Sequence, residues 1–232
     1  MSFRSSPIGS TVVMKYFMAL TGLGWIVFVI FHLIGNLLLL SPDEEAFNRY
    51  SHTLVSLGFP LIAAEILLLI GLLVHVYAAF VVTYDNWRAR SKGYEVYRSR
   101  GKPSKKTISS SSMIWTGLIL LVFIPLHVYT FKYGPGIEQG YVVILDGEPV
   151  RDLRRLVVET FSNRWYVAWY VTAMVILGFH LRHGFWSAFQ SLGLYHRRLT
   201  PFAYGLGVLV GVALAVGFVF IPVWVYLTGG PV

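Results

Sequence analysis

The sequence contains no cysteine, and only 13% of its 232 residues are charged. Without cysteine there are no disulfides, no thiolate-held iron–sulfur clusters, no cysteine nucleophile and no covalent attachment of c-type haem. A soluble domain usually has about a quarter of its residues charged. Here 56% of the residues are hydrophobic, 16% are aromatic, and the mean hydropathy is +0.63. This composition is typical of an integral membrane protein.

Signatures of nucleotide chemistry are also missing. No G-x-G-x-x-G run opens a helix after a strand, and no phosphate-binding loop is present. The net charge of +8 is typical of proteins that bind nucleic acid, but the basic residues cluster in loops between apolar stretches. We therefore interpret the charge as a signal of membrane topology and expect no nucleic-acid partner.

Five stretches are long and apolar enough to cross a hydrocarbon core about 30 Å thick. They predict an all-α integral membrane fold of one domain, residues 1–232, with spans at roughly 13–40, 59–84, 111–132, 163–189 and 203–228. The first span is too long for a signal-peptide core of about 7 to 15 residues, so we expect it to be retained.

The distribution of Lys and Arg predicts the orientation of these spans. With the N-terminus inside, thirteen of the nineteen basic residues lie in or next to the inner segments, eight of them in the second loop. The positive-inside rule therefore predicts a cytoplasmic N-terminus and an outer C-terminus.

Two of the connecting segments carry structural signals of their own. Residues 141–145 are β-prone, Asp146-Gly147 is typical of a hairpin turn, and apolar residues then recur at helical spacing from Leu153 to Phe161. These patterns predict a small hairpin and an amphipathic helix on the outer surface. The inner loop, 91–112, is rich in Gly, Pro, Ser and Lys, and we expect its order to depend on a partner or anionic lipid.

The histidines carry the strongest chemical signal. Each of the first four spans contains one near its middle, and these are His32, His75, His127 and His180; His183 follows one turn later. Histidine in hydrocarbon is costly and usually faces the bundle interior, where a partner or ligand satisfies it. A single histidine often just hydrogen-bonds a neighbouring helix, but one on each of four spans predicts a shared ligand.

Depth sorts the four histidines into two pairs. Counting about 1.5 Å per residue, His32 and His127 lie about 12 and 8 Å from the outer ends of their spans. His75 and His180 each lie about 13 Å from the inner ends. Two pairs at two depths predict two six-coordinate haems in a bundle of the first four helices, with the fifth helix outside it. Such haems have no open site for oxygen and carry electrons, and a membrane quinone suits the location.

Other interpretations of the same residues remain open. Gly35, Asn36, Gly71 and Gly184 flank the candidate ligands, either to admit a flat macrocycle or merely to pack helices. Zinc would use His180 and His183 one turn apart, but no extra carboxylate or cysteine lies nearby.

Four motifs resemble one family. The strings MALTGL at 18–23, FHLIGNL at 31–37, FNRYSHTL at 47–54 and GFWSAFQ at 184–190 are similar to the single-chain, two-haem cytochrome b subunit of succinate:quinone oxidoreductase, that is, succinate dehydrogenase or fumarate reductase, complex II. The similarity covers nearly the whole chain, including the spacing of five spans.

The resemblance implies a set of ligands. His32 and His127 would be the axial ligands of the distal haem b, and His75 and His180 those of the proximal haem b. The Gly four residues after His180 matches the family pattern, so His183, with Arg182, is expected in the second shell or beside a propionate.

The resemblance also implies partners and a location. A flavoprotein that carries FAD and an iron–sulfur subunit would dock on the cytoplasmic face of a bacterial cytoplasmic (inner) membrane, where they would carry out the dicarboxylate chemistry. This chain would be the multi-pass anchor that passes electrons to or from menaquinone or another quinone, and a higher oligomer is compatible with that role. The basic second loop would lie near the iron–sulfur subunit, or would simply be a solvated inner loop.

Two further polar residues are candidates for quinone chemistry. Glu65 interrupts an otherwise apolar second span near its outer end, and His52 lies in the outer loop. Each would relay protons to a quinone or serve as an interfacial polar group.

Two rival functions remain at this stage. A two-haem cytochrome b subunit of another quinone-linked enzyme, of the nitrate reductase or hydrogenase type, would need the same histidines. A transporter or non-haem scaffold would use them to relay protons or to hold helices together.

Overall fold

The computed structural model describes residues 10–89, 112–194 and 196–229, and this part of the chain is predominantly α-helical. The helices are α1 (Thr11–Asn36), α2 (Ala46–Ser56), α3 (Phe59–Arg88), α4 (Met113–Phe131), α5 (Leu153–Phe161), α6 (Arg164–Ser191) and α7 (Leu199–Thr228). A 3-10 turn, Leu37–Leu40, continues α1. The predicted all-α class is therefore confirmed. The inner loop, for which we expected partner-dependent order, lies outside the described residues.

Four of the long helices are apolar enough to span a membrane by length and composition. They are Thr11–Leu40, Phe59–Arg88, Met113–Phe131 and Leu199–Thr228. A helix makes nearly all its backbone hydrogen bonds internally, which suits lipid because lipid offers none; Pro125 in α4 and Pro222 in α7 interrupt this pattern at one bond each. The fourth predicted span, α6, is also one continuous helix of 28 residues. It is not among the four, and it contains Arg164, His180, Arg182 and His183.

The chain divides into two compact units. Unit 1 consists of the described residues of Met1–Val27, Leu67–Gly117 and Phe179–Gly211, and unit 2 of those of Phe28–Ile66, Leu118–Gly178 and Val212–Val232. Each unit therefore receives a segment from every one of the five long helices.

Unit 1 is held together by close helix packing. Met14, Ala78 and Val82 form a small buried cluster between α1 and α3. On α7, a Cβ at Gly207 would lie 3.3 Å from the Arg182 carbonyl oxygen and 3.2 Å from Phe185, so glycine allows α6 and α7 to approach closely.

Unit 2 has the larger apolar core. Its buried members come from the 3-10 turn after α1 and from α2, α4, α5, α6 and α7: Leu39, Phe47, Phe123, Val157, Phe161, Val167, Tyr170, Ala173, Met174, Ile221 and Val225. Three aromatic rings pack together in this core: the centre of the Tyr170 ring lies 5.0 Å from the ring centres of both Phe123 and Phe161.

The predicted hairpin and amphipathic helix are both present in unit 2. Strands β1 (Val142–Leu145) and β2 (Glu148–Arg151) pair antiparallel. Asp146 and Gly147 form the turn with φ of 52° and 86°, and positive φ at both central residues is the geometry that Asp-Gly favours. The predicted hairpin and the helix after it, α5, are confirmed as elements.

Helix α2 contacts α5 through hydrogen bonds that the sequence pattern does not predict. Asn48, only 3% exposed, donates from Nδ2 to the Asp152 carboxylate at 2.8 Å. Its Oδ1 accepts from the backbone N–H of Arg154 at 2.9 Å. Asp152 itself caps α5 by accepting from the N–H of Arg155. Two side chains from different helices thus satisfy the first turn of α5.

The segment that follows α4 is fixed by one guanidinium. Arg151 donates to the carbonyl oxygens of Lys132, Gly134 and Pro135 at 3.3, 3.1 and 2.9 Å. Burial lowers the pKa of Arg151 from its usual value. The arginine thereby connects the hairpin to the carbonyl end of α4.

Candidate haem-binding histidines

Unit 1 contains His75 on α3 and His180 on α6, and both are half-buried. The sequence predicted this pair from depth alone. Each imidazole has a hydrogen-bonding partner at Nδ1. His75 Nδ1 lies 3.1 Å from the carbonyl oxygen of Met18 and 3.2 Å from Thr21 Oγ1. His180 Nδ1 lies 3.0 Å from Thr116 Oγ1.

Within unit 2, the structure brings together the other predicted pair. The ring centres of His32 on α1 and His127 on α4 are 5.7 Å apart, with the ring planes at 87°. Tyr170 Oη lies 3.2 Å from His127 Nδ1. The Asn36 amide lies 3.4 Å from His32 Nε2 and also donates to the His32 carbonyl oxygen at 2.7 Å.

Aromatic side chains surround the unit 2 histidines. The His32 ring stacks on Phe28 at 5.4 Å, and the His127 ring stacks on Phe123 at 5.6 Å. Phe218 of α7 lies 5.9 Å from His32. The fifth long helix therefore packs directly against a candidate ligand, which its lack of histidine did not indicate.

The separation of His32 and His127 is compatible with two imidazoles that would hold one metal ion. A first-row metal binds an imidazole nitrogen at about 2 Å, so two imidazoles on opposite sides of one ion have ring centres about 6 Å apart. The 5.7 Å separation of His32 and His127 is close to this value. Metal-binding histidines usually engage their second nitrogen with a protein group, as His75, His127 and His180 do here.

A zinc site would need more side chains than either pair provides. Among residues 10–89, 112–194 and 196–229, no group of three or more His, Asp or Glu side chains is placed to hold a metal ion. Haem iron already receives four nitrogen ligands from the porphyrin and needs only two residues. The donor set in each unit therefore suits haem better than zinc.

The glycines singled out in the sequence have different neighbours. A Cβ at Gly35 would lie 2.5 Å from the Tyr50 ring of α2, and a Cβ at Gly71 would lie 3.6 Å from Trp25 Nε1. Gly35 and Gly71 therefore lie against protein side chains, which favours the helix-packing interpretation of these two glycines. At Gly184 nothing lies within 4 Å, so the surface beside α6 is open there.

The remaining candidates lie around the two pairs. His183 is half-buried on α6. Arg182 donates to the Tyr204 hydroxyl of α7 at 2.9 Å. Glu65 forms an ion pair with Lys132, which follows α4 directly. His52 is exposed on α2.

Several contact residues were missed by the sequence reasoning. Thr21, Thr116 and Tyr170 lie on helices other than those of the histidines they contact. Two weak signals existed: Thr-Gly occurs inside both the first and the third span, and Thr interrupts otherwise apolar runs there.

Comparison of the chain with protein-family models, with curated proteins and with solved structures finds no match. The functional assignment therefore depends on the residues themselves and on the motifs quoted above.

Proposed function

We propose that this chain is the cytochrome b membrane anchor of a succinate:quinone oxidoreductase, and that it passes electrons between an iron–sulfur subunit and membrane quinone. One observation supports this most directly: each unit contains two of the four histidines, on different helices, and in unit 2 the rings of His32 and His127 are 5.7 Å apart. When bound, a haem with both axial positions filled carries one electron at a time. FAD, iron–sulfur clusters and dicarboxylate chemistry would belong to the partner subunits.

The role of the protein is to hold four imidazoles in fixed orientations. His75 donates from Nδ1 to a carbonyl oxygen, which can only accept, so the lone pair of this neutral ring is on Nε2. Nε2 is therefore its metal-binding nitrogen. In unit 2, the stacked Phe28 and Phe123 restrict rotation of the His32 and His127 rings. A fixed imidazole needs little reorganisation when the iron changes charge.

Arg182 suits a haem propionate. Its guanidinium is held by Tyr204 Oη and lies 5.9 Å from the centre of the same ring. A cation within a membrane span is costly without an anionic partner, and a propionate would supply one. His183 is the next residue along α6 and would act from the second shell, as the sequence predicts.

Haem content is the primary test of the proposal. The purified chain should give a b-type reduced-minus-oxidised spectrum and two haems per chain in a pyridine haemochrome assay. Copurification of a flavoprotein and an iron–sulfur protein distinguishes complex II from a nitrate reductase or hydrogenase anchor. A purified chain that contains no haem, even when it is expressed with haem in excess, would refute the proposal and favour a transporter or scaffold.

We also propose that α6 is a fifth span, so that the N-terminus is cytoplasmic and the C-terminus outside. Its 28 residues would extend about 42 Å at 1.5 Å per residue, which exceeds the hydrocarbon core. The chain has no cysteine, so single cysteines at Ser162 and Ser191 can be labelled without background. The Ser162→Cys variant should react with an impermeant maleimide from outside, and Ser191→Cys only after permeabilisation. Labelling of both from one side would exclude the span.

Glu65 is the proposed proton relay at the quinone site, and its ion pair with Lys132 provides a sharp test. Glu65 is 38% exposed and Lys132 43%, so the pair itself contributes little stability. We expect Glu65→Gln to slow quinone turnover by about 100-fold with both haems retained, as loss of an acid–base group does. The matched variant Lys132→Gln should retain most turnover. Equal losses in both variants would identify an interfacial ion pair instead, and His52 would then be the remaining candidate on this side.

Quinone chemistry on the outer side would couple turnover to the membrane potential. An electron that crosses the whole membrane is subject to about 2.3 kcal/mol per 100 mV. Succinate-to-quinone turnover in proteoliposomes should therefore respond to an uncoupler. Indifference to the uncoupler would place the quinone site on the inner side.

A further inference from the structure

The two histidines of unit 1 share a local arrangement that the haem proposal does not require. Each is contacted by a Thr-Gly pair on another helix: Thr21 and Gly22 of α1 meet His75, and Thr116 and Gly117 of α4 meet His180. In both cases the threonine hydroxyl lies at Nδ1 and the glycine faces Cε1. In unit 2 the contacts are different, because His127 meets Tyr170 and His32 meets Asn36.

The threonine hydroxyl contacts His180 as an acceptor. Thr116 Oγ1 lies 3.0 Å from both the Met113 carbonyl oxygen and His180 Nδ1, and we assign its one proton to Met113 because a carbonyl oxygen can only accept. A hydroxyl has a single proton, so its contact with His180 must be a bond donated by Nδ1–H. Thr21 is placed similarly, since its hydroxyl donates to the Phe17 carbonyl oxygen at 2.6 Å. The proton of each imidazole is thereby held on Nδ1.

The glycines set how closely the imidazoles approach the neighbouring helix. A Cβ at Gly22 would lie 3.1 Å from His75 Cε1, tighter than ordinary van der Waals contact. A Cβ at Gly117 would lie 3.5 Å from His180 Cε1, which is ordinary contact. An alanine in place of Gly22 would therefore displace the His75 ring by a few tenths of an ångström, whereas one in place of Gly117 would only touch His180.

We infer that Thr21, Gly22 and Thr116 are positioning residues that fix the Nδ1–H tautomer and the ring orientation of His75 and His180, and so lower the potential of the haem that these histidines would ligate. This inference depends on the proposed function. A hydrogen bond donated by Nδ1–H makes the imidazole a stronger electron donor at Nε2. A stronger donor stabilises the ferric state, so removing the acceptor raises the midpoint potential.

The two threonines contribute unequally. His75 retains the Met18 carbonyl oxygen as an acceptor when Thr21 is removed, because that oxygen is only 3.1 Å away. For His180, the acceptor at Nδ1 in the described part of the chain is the hydroxyl oxygen of Thr116. Thr116→Val should therefore shift the potential upward by more than Thr21→Val, although both substitutions remove the same hydroxyl.

The test is a potentiometric titration of the two haems in the full-length chain in its membrane, with low-spin ferric EPR as the measure of imidazole orientation. Thr116→Val should raise one midpoint potential, change one EPR signal and leave the second haem unchanged. Gly22→Ala should alter the signal of the same haem. The wild-type spectrum is recorded first, so a chain without haem is recognised as a failure of the proposed function and not of this inference.

Two matched variants serve as controls. Thr172→Val removes an exposed hydroxyl on the helix of His180 that donates to the Ala168 carbonyl oxygen at 2.8 Å. This variant should leave both midpoint potentials unchanged. Gly24→Ala places a Cβ in open space on α1 and should also be silent. If Thr116→Val loses a haem, Thr116→Ser decides: a retained haem at the wild-type potential supports the inference, and a lost haem overturns it. A Thr116→Val variant with both potentials unchanged, or both shifted equally, overturns it as well.

Discussion

Replacing the buried Asn48 tests directly whether polar contacts hold unit 2 together. Asn48→Ala removes one hydrogen bond to a carboxylate, worth about 1.5 to 3 kcal/mol, and one to a backbone N–H, worth about 1 kcal/mol. We therefore expect the contact between α2 and α5 to weaken by about 3 kcal/mol. Since every 1.4 kcal/mol is tenfold, amide exchange in these helices should speed up by about 100-fold.

Hydrogen–deuterium exchange of peptides covering 46–56 and 153–161 measures this directly. Thr53→Ala is the matched control, because its hydroxyl is on the exposed side of α2 and bonds the Arg49 carbonyl oxygen of the same helix. That variant should cost under about 0.5 kcal/mol. Exchange of Asn48→Ala within about threefold of the wild type would refute the reasoning and show that apolar packing alone holds α2 in place.

Three other outcomes follow from the site and its surroundings. His180→Leu should leave one haem per chain, whereas His183→Leu should leave two; the opposite result in a haemochrome assay would exchange the ligand assignment. Replacing either His32 or His127 with leucine should remove the haem that His180→Leu retains, which the same potentiometric titration identifies. The hydrogen bond from Tyr141 lowers the pKa of Glu159, and the bond from Arg155 adds to this effect. The two bonds therefore stabilise the fold at any pH above the pKa of Glu159 in the unfolded chain. This stabilisation is lost as the pH falls through the lower pKa of Glu159 in the folded chain. Tyr141→Phe should accordingly reduce the pH dependence of exchange in 153–161, and an unchanged pH profile would contradict that cause.

The sequence by itself determined the elements that depend on local chemistry. Long apolar runs predicted all five long helices, since lipid leaves a backbone no other way to satisfy its hydrogen bonds. Asp146-Gly147 predicted the hairpin turn, because few other residue pairs adopt positive φ twice. Helical rise alone grouped His32 with His127, whose rings are in contact, and His75 with His180, which share a unit, because counting residues along a helix gives the depth of each.

Which side chains lie next to each other on neighbouring helices is known only from the tertiary structure. The sequence does not indicate that Thr116 lies at His180, that Phe218 lies at His32 or that Lys132 pairs with Glu65. Helix α2, docked through the buried Asn48, was likewise absent from the sequence prediction of elements.

The physical reason lies in the solvent. In water, an apolar stripe on a helix marks the face that packs. A span in lipid is apolar on every side, so its sequence gives length and depth but not the direction in which each side chain points. Rotation about the helix axis is settled by close packing at residues such as Gly207 and by a few hydrogen bonds between helices. Those contacts exist only once the helices are together.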